Sequence, residues 1–170
     1  MENPQLITNG PLFLAGLSFF GDPFAYQMEW QTENEIGQLW NRYYAVLSNY
    51  PAFKSLTQQA GSFYEVHLMH PESRDNGKYE VFIGTEIKDF EQVPVHYVIK
   101  HLPASAYFQF TVSGEAIIED YSKLHLDEQI SALGYQRNSD LHLLVYDERF
   151  LGMDRLSESS ITILIPVSKL

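Results

Sequence analysis

Hydrophobic and polar positions alternate along this chain with two periods, and the switches between them mark its elements. Residues 12–20, LFLAGLSFF, form an apolar run closed by Gly21, Asp22 and Pro23, which predicts a buried strand entering a loop. Thr32 and Glu35 have the spacing of a helix capping box. Ile36, Leu39, Trp40, Tyr43, Tyr44 and Leu47 then recur at helical spacing up to Pro51. A strand is predicted at 62–70, where Tyr64, Val66 and Leu68 alternate with Glu65 and His67. Another is predicted at 78–87, where Tyr79, Val81, Ile83 and Ile87 alternate with Glu80, Phe82 and Glu86. The stretch 88–105 reads as a crossing connection in which VPVHYVIKHL pairs as a strand. The pattern then begins again with a strand at 106–113. A helical region at about 115–133 follows, broken near Asp127 and stopped by Gly134, and two tail strands, LHLLVYDERF and ITILIPV, complete the set.

The order strand, helix, strand, strand thus occurs twice. It predicts an α+β fold in which two pseudo-symmetric βαββ halves, about 10–88 and 93–168, form an antiparallel sheet with helices on one face. Laid over each other, the halves match YEVFIG at 79–84 with ITILIP at 161–166, Glu80 with Thr162 and Phe82 with Leu164. Tyr64, Val66, Leu143, Val145, Ile163 and Ile165 are expected beneath the helices. The opposite face of the tail strands, with His142, Leu144, Tyr146, Thr162 and Leu164, is mixed. That is the make-up of a wet surface or of a ligand-cavity wall.

Length and charge narrow the partners. A chain of 170 residues suits a single domain spanning 1–170. A net charge of -11 opposes phosphate backbones and anionic membranes, so neither direct nucleic-acid binding nor membrane association is expected. Without cysteine there is no disulfide framework or thiolate chemistry, which fits a cytoplasmic protein. No leader-like segment and no run approaching ~18 apolar residues occurs, so the chain reads as soluble and unprocessed. The histidines lack H-x-x-x-H spacing, and neither a P-loop nor a nucleophile elbow is present, so no metal or cofactor is expected.

From YFQFTVSGE through GYQRNSDLHLLVYDERF to ITILIPV the chain resembles the second half of the GyrI-like domain, the AraC-type effector-binding domain of bacterial regulators. FLAGLSFF, ENEIGQLWNRY and YEVFIGTEI agree with the first half, so the resemblance runs from about residue 10 to 168. It implies a small-molecule-binding module with its cavity on the concave face of the sheet, linked to transcriptional regulation or drug response. With no residues left for a helix-turn-helix segment, a stand-alone form is expected. Cation-binding members of the family carry glutamates at positions held here by Leu144 and Thr162, and Leu164 replaces a frequent aromatic; Val112 stands where a histidine is common.

The expected ligand-binding residues are therefore Glu65, His67, Glu80, Phe82, Tyr107, His142, Leu144, Tyr146, Thr162 and Leu164. With a nearly neutral second half, an apolar or aromatic ligand is favoured over a cation, which must rely on Glu80 or Glu65. The plainer reading of either glutamate is a solvated strand face. The aromatic stripe of Trp40, Tyr43 and Tyr44 reads as core packing. Two other readings stay open. One is a small-molecule hydrolase in which Glu80 or Glu65 acts beside His67 and Tyr146. The other is an acidic interaction protein with a protein partner, such as an inhibitor of a DNA-handling enzyme like gyrase.

Overall fold

The computed structural model describes residues 4–25, 34–119 and 121–170. Its strands are β1 (Gln5–Asn9), β2 (Leu12–Gly21), β3 (Phe63–Leu68), β4 (Tyr79–Glu86), β5 (Val98–Leu102), β6 (Ser105–Ser113), β7 (Tyr135–Arg137), β8 (Leu141–Tyr146) and β9 (Ser160–Lys169). They pair antiparallel in the order β1-β6-β9-β8-β3-β4-β2-β5, with β7 alongside β9. Reading outward from the central β8–β3 pair, β8, β9 and β6 mirror β3, β4 and β2. The strand order thus carries the two pseudo-symmetric halves.

Two short links fold this sheet back on itself. Only Gly10 and Pro11 separate β1 from β2, and only Pro103 and Ala104 separate β5 from β6. Each link joins strands six places apart in the order. In a flat sheet six steps of ~4.8 Å span about 29 Å, whereas three residue steps reach about 11 Å at most. The ends must therefore curl toward each other. They meet at a corner where Asn9 pairs with Ser105 and Leu12 with Leu102. The inside of the curl is filled by Leu14, Val66, Phe82, Leu102, Tyr107, Leu143 and Leu164, a core with no helical member.

The helices cover the outer face. Over β2 and β4, helix α1 (Glu35–Ser48) and helix α2 (Pro51–Ala60) pack Ile36, Leu39, Tyr43, Leu47 and Phe53 on Ala15, Tyr79, Val81 and Ile83. A helical turn, α3 (Ser73–Asn76), lies in the β3–β4 connection. Over β6, β9 and β8, the 3-10 segment Gly114–Ile117 and α4 (Leu126–Ala132), with Leu156 from the 3-10 segment Met153–Glu158, cover Phe110, Leu144, Ile161 and Ile163. Among the described residues no helix is long and apolar enough to cross a membrane.

Where β2 meets β4, Gly16 pairs with Gly84. A methyl group on Gly16 would lie 1.9 Å from the Ile83 carbonyl oxygen, and one on Gly84 would lie 2.5 Å from that of Ala15. Backbones this close admit no side chain. Gly16→Ala is expected to cost about 1–3 kcal/mol of stability through overpacking. Gly10→Ala, whose methyl meets nothing within 4 Å, leaves the chemical-denaturation midpoint unchanged.

Several sequence expectations shift. Thr32 of the supposed capping box lies outside the described residues; Asn34 caps α1, its side-chain oxygen accepting from the Gly37 amide at 2.9 Å. Pro51 opens α2 rather than ending helical structure, since proline at a first helical position forfeits no hydrogen bond. The helical region at 115–133 is two 3-10 turns, Gly114–Ile117 and Tyr121–Leu124, followed by α4. The break before α4 is at His125 (φ 49°) rather than at Asp127.

The largest correction concerns faces. Leu143 pairs with Val66 and Leu164, and Leu144 with Glu65 and Ile163. Tyr64, Val66, Leu143 and Val145 therefore line the inside of the curl, while Ile163 and Ile165 face the helices as expected. Because a side-chain period of two binds each strand to its neighbour, Leu143 and Ile163 cannot share a face.

Candidate ligand-binding site

The ten residues singled out from the sequence divide between the two faces. Glu80, Phe82, Tyr107, Thr162 and Leu164 lie on the concave face; Glu65, His67, His142, Leu144 and Tyr146 lie beneath the helices. Glu80 and Thr162 share a face, as do Phe82 and Leu164, which agrees with the superposition of the halves.

On the concave side a cavity of about 270 Å³ opens at the corner where the sheet ends meet. The β1–β2 link supplies one wall through Asn9, Gly10, Pro11 and Leu12. Leu143 and Leu164, cross-strand partners on β8 and β9, form an aliphatic floor. Tyr64 and Tyr107 bring two phenol rings, and Glu86 is the one carboxylate among the described lining residues. Burial, and then the nearby Glu86 charge, push the Tyr64 hydroxyl up to about 12; burial also raises that of Tyr107. Both phenols thus stay protonated donors at neutral pH. Short links with glycine and proline hold backbone at the rim, and strand register presents Glu86, Tyr64 and Leu143 on one surface.

The other concave-face residues are engaged outside the cavity wall. Glu80 accepts from the Lys100 ammonium at 2.9 Å, and that ammonium stands 5.6 Å from the Phe82 ring centre. The Thr162 hydroxyl accepts from the Arg149 guanidinium at 2.7 Å, which also forms an ion pair with Asp147 at 2.7 Å.

Beneath α1 a closed polar knot surrounds Glu65, which is 0% exposed. The Trp40 indole N–H donates to Oε2 at 2.7 Å, and the His67 ring Nε2 meets Oε1 at 2.7 Å. The Tyr146 hydroxyl lies 3.5 Å from Oε2. The Tyr146 ring packs edge-on against Trp40 and Phe150. Burial, and then the Glu65 charge, hold the Tyr146 hydroxyl well above its ordinary range. The His142 ring sits 4.8 Å from that of His67, and its pKa falls well below the usual value, first through burial and then through the charges of His67 and Arg137. Leu144 packs with Leu126, Ile130 and Ile163. Two carboxylates that sequence alternation set on one wall therefore have separate tasks: Glu65 ties the helix layer to the sheet, and Glu80 is held by Lys100.

Sequence reasoning passed over Tyr64, Glu86, Leu143 and the Asn9–Leu12 link as cavity residues. A signal for Glu86 existed, because it shares alternation with Glu80 and Phe82. The two-residue β1–β2 link gave none, since β1 itself was not foreseen.

The family model described as Cass2, integron-associated effector binding protein, matches residues 8–167. Among solved structures the chain is similar to SAV2435 bound to tetraphenylphosphonium, with 18% identity and a TM-score of 0.64, covering 99% of this chain and 94% of that one. It is also similar to an integron cassette protein from the mobile metagenome of Vibrio cholerae, with 17% identity, a TM-score of 0.59 and coverage of 98% and 97%. The C-terminal domain of EcmrR aligns with 11% identity, a TM-score of 0.62 and 98% coverage of each chain. No curated protein matches the sequence. The structural likenesses concern the fold, an antiparallel sheet with helices on one side.

Proposed function

The chain belongs to the Cass2 family of integron-associated effector binding proteins, and on that premise we propose that its effector is a compact aromatic or amphipathic molecule with one positive charge, held in the concave-face cavity. The observation that carries this reading is Glu86, a lone carboxylate in a wall whose other described residues are two tyrosines, three leucines, Asn9, Gly10 and Pro11. Aromatic area buried against Leu143, Leu164 and Tyr107 supplies affinity without regard to charge. A cation gains further from Coulomb attraction to Glu86 and from the faces of Tyr64 and Tyr107, a combination strengthened where water is scarce. SAV2435, of the same fold, is bound to a lipophilic aromatic cation, which supports the reading.

The expectation that neutral compounds outrank cations rested on Leu144 as a cavity wall and on Glu65 and Glu80 as the available charges. Leu144 lies under the helices, and Glu86 takes the place of those two carboxylates, so the expectation loses its premise. The aromatic part of that expectation carries over. A module of this kind serves regulation or drug response by sensing or sequestering its compound, and with a net charge of -11 it does so without gripping DNA itself.

An isosteric probe pair tests the proposal: benzyltrimethylammonium and neopentylbenzene, which differ in charge but hardly in shape. In NMR titrations the cation is expected to bind about 10-fold more tightly. Amide shifts should centre on Asn9, Gly10 and Leu12 and on Tyr64, Glu86 and Leu143. Equal or weaker binding of the cation overturns the assignment of ligand charge.

A further inference from the structure

Lys100 faces Leu14 across the β5–β2 pairing, and Leu14 faces Glu86 across β2–β4, so the three residues form one row on the concave face. The Lys100 side chain does not cross this row to Glu86. Its ammonium stands over the Phe82 ring, 5.6 Å from the ring centre, and 2.9 Å from Glu80 Oε1. The lysine and glutamate side chains are only 17% and 26% exposed, so water screens this pair less than it does the chain's outer ion pairs.

A carboxylate beside an aromatic face is what an organic ammonium ion requires of a binding site. Here the chain fills that arrangement itself. We propose that Lys100 is a tethered occupant of a second cation subsite, made by Glu80 and Phe82, and that it sets ligand specificity. Its ammonium neutralises Glu80 and places a fixed positive charge on the face that carries the cavity. Among the described residues Glu86 is then the one carboxylate of the cavity wall, and no ion pair engages it there, so ligands with a single charge are accepted and dications are disfavoured. This rests on the proposed cavity as the ligand site, and it adds a residue that governs ligand charge without lining the wall.

The test uses Lys100→Met, which keeps the aliphatic stem and removes the charge, with Lys100→Gln as a second variant should the first fail to fold by circular dichroism. Affinity for benzyltrimethylammonium is expected to rise about 10-fold, while that for neopentylbenzene changes by less than about twofold. Adding Glu80→Gln to Lys100→Met should cancel the gain, because the freed carboxylate is its source. A bis-quaternary aryl ammonium should gain more than the monocation. Unchanged or weaker cation binding in both folded lysine variants overturns the proposal, as does a gain that survives Glu80→Gln. The two readings fail separately. A wild type without cation preference sinks the Glu86 assignment alone, since a Glu80-dependent gain in Lys100→Met is still measurable; a cation-selective wild type insensitive to position 100 sinks only the role of Lys100.

Discussion

Replacing Glu65 with leucine is expected to lower folding stability by about 3–5 kcal/mol, the range seen when one partner of a buried charged network is removed. The volume of the side chain is nearly kept, so the loss is electrostatic. Trp40 Nε1, His67 Nε2 and the Tyr146 hydroxyl all turn toward the Glu65 carboxylate at 2.7–3.5 Å. Leucine leaves them buried without an acceptor, at about 1–3 kcal/mol for each group that cannot find water. Glu65→Gln, which keeps one acceptor oxygen, should fall in between. Denaturant unfolding with an unchanged m-value measures both. Because Glu65 and the cavity lie on opposite faces, the folded Glu65→Gln protein should bind benzyltrimethylammonium within about twofold of wild type, as distant sites do. A large loss of affinity without a loss of stability would place the ligand under α1 instead.

Glu86→Gln is expected to reverse that pattern. Stability changes little, since Glu86 is partly exposed at the end of β4. Affinity for benzyltrimethylammonium falls about 10-fold, and that for neopentylbenzene holds, because amide and carboxylate have the same shape and differ in charge. The Tyr64 hydroxyl supplies a second readout. Glu86 is a cause of its raised pKa, second to burial, so the mutation should lower it from about 12 without restoring the ordinary value. Ultraviolet titration of the phenols in wild type and Glu86→Gln follows that shift.

Much of the architecture was legible because alternation and helical spacing are strong in this chain. The paired halves, the antiparallel sheet, the helix through Trp40 and Tyr43, and the equivalence of β4 with β9 all follow from apolar periodicity. The orientation of the strands did not. Where one face of a sheet is wet, alternation identifies the buried face. In this curled sheet both faces are buried: Val66 and Leu143 pack inside, and Leu144 and Ile163 pack under helices. Aliphatic residues on both sides cannot say which side the helices cover, and the buried carboxylate on β3 made the helix-covered face look like the wetter one. Glu65 and His67 mimic a solvated strand face because the donor that completes their pair, the Trp40 indole on Glu65, is 25 positions away from Glu65. The cavity was hidden for a related reason. It is made where two links fold the sheet, and a two-residue link carries no periodicity.

The most direct measurement is a crystal structure of the protein with benzyltrimethylammonium. The aromatic ring is expected between Tyr64 and Tyr107, over Leu143 and Leu164, with the ammonium directed at Glu86 and Lys100 still on Glu80. A ligand lying instead beneath α1, on Glu65 and Trp40, would contradict this placement.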